Sequence, residues 1–120
     1  MLLVLANNMT MVAGPGQVAM VTTDPIPLNG DDRLDAVINV HTIFNTTAPG
    51  FGFALEVSND GQNFIPFGAP GDRNATGSQP WTNTGVAWAF FRVVFTLAAD
   101  AGVVAGVTFD CHMNVDKAGA

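Results

Sequence analysis

The stretch that decides the fold runs Phe51-Gly-Phe-Ala-Leu-Glu-Val-Ser-Asn-Asp-Gly-Gln-Asn-Phe64. Apolar side chains occupy every second position at its start, namely Phe51, Phe53, Leu55 and Val57. Successive side chains of a strand point to opposite faces, so this alternation predicts a strand with one buried, aromatic face. Asn59 and the pair Asp60-Gly61 follow this strand, and an Asp-Gly pair is typical of the type I′ turn. We therefore predict a hairpin whose turn is formed by Asn59, Asp60 and Gly61.

Further strands are predicted on both sides of this hairpin. Residues 34–44 and 103–111 alternate in the same way, and residues 88–97 are apolar on both faces, which is typical of a central strand covered on both sides. Residues 64–67 contain Pro66, which lacks an amide donor, so they predict an edge strand or a strand end. Shorter strands are expected at residues 2–5, 9–13 and 17–22.

Turn residues separate these segments at intervals typical of a β-sandwich or barrel, and helix signals are scarce. The sequence predicts an all-β fold: a single antiparallel β-sandwich, jelly-roll-like, forming one domain over residues 1–120. Residues 1–30 are expected to form an extended N-terminal arm or short strands. Residues 68–84 lack a periodic apolar pattern, so we expect one long loop there.

Charged residues are rare in this chain. The 120 residues include four Lys and Arg against ten Asp and Glu, giving a net charge of −6, while 48% are hydrophobic. Four scattered basic residues cannot form a nucleic-acid surface, and no apolar run is long enough to span a membrane. Lys and Glu occur once each, as Lys117 and Glu56. Because interface cores are depleted in these residues, the composition favours assembly over a monomer.

The polar residues of the sequence form no catalytic or metal-binding pattern. Asp31 and Asp32 are neighbours in a turn, which gives no acid–base geometry. His41, Cys111 and His112 lack the spacing of a metal site, and the Asn59–Gly61 turn lacks the remaining ligands of a calcium loop. Neither a nucleophile elbow nor a phosphate-binding loop is present. We therefore expect no enzyme activity, no metal and no cofactor.

A resemblance to a known class rests on Phe53–Phe64. Its strand, Asn-Asp-Gly turn and Asn-aromatic pair resemble a motif in small β-sandwich proteins of tailed-bacteriophage virions, and the strands at 34–44 and 91–95 fit the same layout. Carbohydrate-binding sandwiches of the discoidin-like kind use a similar hairpin. The resemblance to phage proteins implies that the N-terminal arm and the loops contact the capsid or a neighbouring subunit.

These observations lead to a functional expectation. We expect a non-enzymatic capsid decoration, or cement, protein that is made in the host cytoplasm, located on the virion surface, and bound to the major capsid or another virion protein. A homo-oligomer, dimer or trimer, is expected, with no nucleic-acid or membrane partner. Alternatives are a phage tail or neck protein, and a carbohydrate- or receptor-binding module carried by Trp81.

Candidate contacts with a partner lie in the N-terminal segment, in the predicted loop and on the second apolar face of the strand at 88–97. They are Leu2, Leu3, Leu5, Met9, Met11, Trp81, Trp88, Phe90 and Val94. For Trp81 the sequence leaves two equal interpretations, an anchor in a partner or a lid that folds back on the sandwich. For Trp88 packing in the core is favoured.

Overall fold

A computed structural model describes residues 1–47 and 50–118 of the chain. This part contains nine strands: β1 (Leu2–Ala13), β2 (Val18–Thr22), β3 (Ile26–Pro27), β4 (Arg33–Phe44), β5 (Phe51–Ser58), β6 (Ile65–Arg73), β7 (Gly77–Asn83), β8 (Phe90–Ala98) and β9 (Ala105–Asp116). Within the same residues, no helix is long and apolar enough to cross a membrane.

The strands form two antiparallel sheets that pack face to face. One sheet has the order β1-β9-β4-β7, and the other has the order β2-β8-β5-β6, with the short β3 also paired to β8. The chain passes repeatedly between the sheets, so that strands distant in sequence become neighbours. This order is that of a jelly roll, two interlocked Greek keys. The predicted all-β, jelly-roll-like sandwich is confirmed.

The core lies between the sheets and follows the alternation read from the sequence. The inward residues of β5 and β8 are fully buried, as are those of β9. Phe109 lies at the centre, with ring centroids 4.5 Å from Phe51 and 4.9 Å from Phe95. Because aromatic burial contributes the largest apolar area per residue, this cluster is the main source of stability.

Two expectations about the N-terminal third are corrected. The first 22 residues do not form an arm, because β1 pairs with β9 along its length and β2 pairs with β8. The two segments 2–5 and 9–13 are one strand with two register shifts, one between Val4 and Ala6 and the other a bulge at Asn7 and Asn8, where Asn8 has a φ of 51°. The bulge interrupts the apolar alternation, and so the strand reads as two pieces.

The long loop expected at residues 68–84 is also wrong. These residues belong to β6 and β7, which form one edge of each sheet and are joined by a turn at residues 74–76. The Arg73 guanidinium closes that turn by donating hydrogen bonds to the carbonyls of Ala75 and Thr76, at 2.8 and 2.6 Å. Both strands are largely exposed, so their sequences need no apolar alternation.

The predicted turn at Asn59, Asp60 and Gly61 reverses the chain, but its type differs from the prediction. A type I′ turn needs positive φ at both central residues, and Gly61 is the one residue of this turn that has it. Seven residues connect the paired Val57 and Ile65. The Asp60 carboxylate organises them by accepting hydrogen bonds from the amides of Gln62 and Asn63, at 2.9 and 2.8 Å.

Candidate interaction surface

One lateral side of the sandwich is formed by the edge strands β1 and β2, and we call it the β1–β2 side. Five large apolar side chains on these two strands are mostly exposed: Leu2 (69%), Val4 (56%), Val12 (61%), Val18 (64%) and Met20 (64%). Leu2, Val4 and Val12 lie on the outer face of the β1 sheet, and Val18 and Met20 on the outer face of the β2 sheet, because their strand neighbours face the core. Exposed apolar residues concentrated along two edge strands are more typical of an interaction site than the same residues scattered over the surface. One free edge of each sheet, β1 in the first and β2 in the second, runs along this side.

The β1–β2 side also lacks the features that usually protect sheet edges. Neither strand contains proline or a charged residue, and the first charged side chain in the sequence is Asp24. Native proteins block exposed edges with lysine, proline, bulges or covering loops, since an open edge can pair with another chain. Among the described residues of the two strands, the devices of this kind are the two register shifts of β1, between Val4 and Ala6 and between Ala6 and Met9.

A cleft of about 340 Å³ opens between the sheets on the β1–β2 side. Its lining is mainly apolar and consists of Val4, Leu5, Met9, Val21, Thr22, Thr23, Asp24 and Ile26. Leu5, Met9 and Val21 contact the core with one part of the side chain and remain partly exposed with the other. An apolar side chain from a partner would therefore find apolar contacts in this cleft.

The opposite side, formed by β6 and β7, is built differently, and we call it the β6–β7 side. It carries three prolines, Pro66, Pro70 and Pro80, together with the charged pair of neighbours Asp72 and Arg73. The β6 strand also bulges, because its five residues Phe67–Gly71 lie opposite three residues of β5, Phe53–Leu55. Proline, charge and bulges all oppose pairing with a further strand.

The bulge in β6 leaves a shallow groove on the outer face of its sheet. Its volume is about 310 Å³, and its lining is Gly52, Phe53, Ala54, Pro70, Gly71, Asp72, Val94 and Thr96. Gly71 lies directly against the Phe53 ring, since a Cβ built on it would be 2.0 Å from that ring. Beside the groove, Arg92 donates to Glu56 at 2.7 Å and covers the Phe64 ring at 4.1 Å.

The predicted N-terminal contacts divide into three groups. Leu2 is exposed on the β1–β2 side, whereas Leu3, Leu5 and Met9 are half-buried against the core. Met11 is 3% exposed, so its selection as a surface contact is corrected. It points inward because it lies on the same face of β1 as Leu3, Leu5 and Met9, which pack against the core.

Trp81 is also corrected as a surface anchor, because it is 7% exposed and belongs to the core. Its ring meets Phe53 edge to face with centroids 5.0 Å apart, as the lid interpretation predicts. Trp88, Phe90 and Val94 are half-buried, and Trp88 packs against the core. Val94 lines the groove beside β6, away from the β1–β2 side.

Sequence reasoning missed four residues of the β1–β2 side, namely Val4, Val12, Val18 and Met20. Each is an ordinary strand residue, and its exposure depends on the edge position of β1 and β2. One sequence signal was available. Residues 1–23 contain no Asp, Glu, Lys or Arg. An apolar edge strand without gatekeeper charges is typical of a surface that becomes covered.

Titratable groups concentrate around Asp110, in the middle of β9. Its carboxylate accepts the backbone N–H of Asn8, in the bulge of β1, and contacts His41 Nε2 at 2.7 Å, in a bulge of β4. The Asn8 amide first, and His41 second, lower the pKa of Asp110. One carboxylate thus holds two irregular strands in place.

The other polar candidates have structural surroundings. Burial raises the pKa of the Cys111 thiol to about 12, which leaves it protonated and unreactive. Asp32 accepts the Ala118 amide at 2.7 Å. The Asn63 amide and three further donors lower the pKa of Asp60 and occupy its oxygens. Over residues 1–47 and 50–118, His, Cys, Asp and Glu form no group of three placed to hold a metal ion.

Comparisons with known proteins give a likeness of architecture. No family model and no curated protein matches the chain. Among solved structures, it is similar to the carbohydrate-binding module TmCBM61, determined in complex with β-1,4-galactotriose, with 14% identity and a TM-score of 0.38 over 96% of this chain and 69% of that chain. A likeness at this level extends to the β-sandwich and carries no information about a ligand of this chain.

Proposed function

We propose that the chain is a non-enzymatic structural protein that assembles with neighbours through the β1–β2 side. In its most specific form, the proposal is a decoration protein on the capsid of a tailed bacteriophage. The observation that carries it is the grouping of exposed apolar side chains on two uncharged edge strands. A side of this composition is costly in water and is stabilised when a partner covers it.

The mechanism is mechanical. A decoration protein holds adjacent shell subunits together through many weak contacts, so that internal pressure is shared between them. Apolar and neutral polar contacts suit this task because they depend little on ionic strength. The net charge of −6 would then act on the rate of association more than on affinity.

The assignment to a virion is supported by the hairpin at Phe53–Phe64, which resembles that of small phage sandwich proteins. A tail or neck protein would use the same surface and differ in its partner. The carbohydrate-binding alternative has less support, since Trp81, the residue proposed to stack on a sugar, lies in the core.

Site-specific photo-cross-linking in assembled particles tests the proposal. A photoreactive residue replaces Met20 on the β1–β2 side, or Ile65 on the β6–β7 side as a matched control, since both are exposed on edge strands of the same sheet. Particles are then irradiated, and the cross-linked peptides are identified. We expect cross-links from position 20 to a virion protein or another copy, and few from position 65. Absence of the protein from particles would contradict the virion assignment, and equal cross-linking at both positions would contradict the choice of surface.

A further inference from the structure

The composition of the β1–β2 side suits contact with the same side of a second copy. It has no charged side chain on its two strands, so two copies brought together there meet no repulsion between strand charges, although each chain carries −6 overall. Asp24 lines the cleft on this side, whereas Asp72 and Arg73 lie at the opposite edge. Two β1–β2 sides in contact therefore bring together few like charges, namely one Asp24 from each copy.

The size of the β1–β2 side also fits a second copy. Twelve residues at about 3.4 Å each make β1 roughly 40 Å long, and two sheets about 10 Å apart with side chains on both outer faces make the side about 20 Å wide. The product, roughly 800 Å² per partner, is the outline of the whole side, of which the five-residue β2 covers less than half the length. It is comparable to the area that each partner buries in a standard stable interface.

The second lateral side bears on the symmetry of an edge-to-edge assembly. A trimer or a higher ring needs two different complementary surfaces on each copy, whereas a two-fold dimer needs one surface that matches itself. The second lateral side carries prolines, charges and a bulge, which oppose pairing with another strand. Of the two lateral sides in the described chain, one is thus suited to pairing.

We infer that the chain forms a two-fold symmetric dimer in which the β1–β2 side of one copy covers the β1–β2 side of the other. The inference rests on the proposed function and names the partner of the same surface. In the dimer the exposed Val18 and Met20 become buried, and the cleft beside Leu5 and Met9 is closed by apolar side chains of the second copy. The sheet faces and the β6–β7 side stay available for a shell.

Sedimentation equilibrium over a wide concentration range, with the full chain, tests the dimer. The wild type should fit a monomer–dimer equilibrium. Val18→Lys should weaken it by about a hundredfold or more, because each interface would gain two desolvated like charges. Ile65→Lys, on the opposite edge of the same sheet, should leave the equilibrium within about twofold of the wild type. Circular dichroism and urea unfolding verify that both variants fold.

Distances between spin labels give an independent measurement that does not depend on disrupting the interface. A label at Gln17→Cys, in the turn that joins β1 to β2, should give a shorter distance between copies than a label at Thr76→Cys, in the turn that joins β6 to β7. The native Cys111 is buried and stays unlabelled. The opposite order of distances would overturn the proposed arrangement.

A monomer at all concentrations, a trimer, or a dimer broken by Ile65→Lys instead of Val18→Lys would each overturn the inference. Its failure is separable from failure of the proposed function. A monomer whose position 20 cross-links to a shell subunit in particles would leave the structural role standing and reject the dimer. A dimer in solution that never enters particles would do the reverse.

Discussion

The two lateral sides of the sandwich are edges of the same sheets, yet they present opposite surfaces. On the β6–β7 side, the strands have few apolar residues and contain three prolines, and Arg73 closes the turn between them by hydrogen bonding. On the β1–β2 side, apolar side chains are exposed along two uncharged strands. One side has the usual protection against pairing, and the other has little of it.

The difference indicates where the chain tolerates exposure and where it does not. Protection of one edge shows that the fold can block strand pairing with local chemistry. Leaving the second edge open, with Val18 and Met20 each 64% exposed, therefore favours a surface that is covered in the assembled state. The following experiments perturb one side at a time and are ordered by expected effect.

Truncation of Trp81 should give the largest effect. Trp81→Ala removes a buried aromatic side chain that packs edge to face on Phe53 beneath the β6–β7 side. Large-to-small changes of this kind cost about 3–5 kcal/mol, and urea unfolding should detect the loss. Trp88→Ala, at a half-buried position, should cost less. A Trp81→Ala variant of unchanged stability that had lost binding to a particle or glycan would restore Trp81 as an anchor.

Overpacking beneath the bulge of β6 should cause a smaller loss of stability. In Gly71→Ala, the added methyl group meets the Phe53 ring, which is itself held in the core. We expect destabilisation of about 1–3 kcal/mol from this overpacking, measured by urea unfolding. Gly14→Ala, in the turn of the β1–β2 side, is a matched control, because its new methyl group meets the flexible end of Gln17. Equal losses in the two variants would contradict the packing explanation.

The carboxylate of Asp110 provides a pH-dependent test of the β1–β2 side. Its pKa is lowered in the folded state, chiefly by the Asn8 amide, so its contribution to stability is present above the unfolded pKa of about 3.9 and is lost as the pH falls through the folded value. Asp110→Asn should therefore be less stable than the wild type near neutral pH, and the difference should shrink in acid.

Hydrogen exchange locates this effect. Because Asp110 holds the bulge of β1, the substitution should speed amide exchange in β1 and leave β7 unchanged. Asp72→Asn, on the β6–β7 side, is the control, since no described residue donates a hydrogen bond to Asp72. Uniform acceleration across both edges, or a stability difference that persists in acid, would reject the role of the Asp110 carboxylate.

Ionic strength should have the smallest effect. If apolar contacts hold two β1–β2 sides together, the dimer dissociation constant should change by less than about twofold between low and moderate sodium chloride, because neither strand of this side carries a charged side chain to be screened. Ammonium sulfate should strengthen the dimer, since excluded salts favour apolar burial. A dimer that dissociates steeply with sodium chloride would indicate a charged interface elsewhere on the molecule.

Much of the fold could be predicted because the buried strands carry their pattern in sequence. The alternation at Phe51–Val57 and in residues 91–97 matches the inward faces of β5 and β8. β6 and β7 could not be predicted in the same way. Their residues are held in strands by the hydrogen bonds of β5 and β4, and an exposed edge needs no apolar alternation.

The candidate surface was predictable in part. The sequence pointed to the N-terminal segment as a contact region, and Leu2 lies there, exposed. It did not distinguish Met11, which faces the core, from Val12, which is 61% exposed, because both are apolar and the inward face of β1 depends on its pairing with β9. That pairing joins the Asn8 amide to the Asp110 carboxylate, 102 residues away in sequence.

The pairing of β1 with β9 also constrains when the molecule can fold. Leu2 lies opposite Asn114, so the sheet that contains them cannot close until the ribosome has released nearly all of the described chain. Such distant pairings make folding slow. During synthesis the uncharged apolar β1 is therefore without its partner for the longest time of any strand. The nascent chain should consequently be prone to aggregation, and expression at lower temperature should raise the yield of folded protein, because apolar association weakens on cooling.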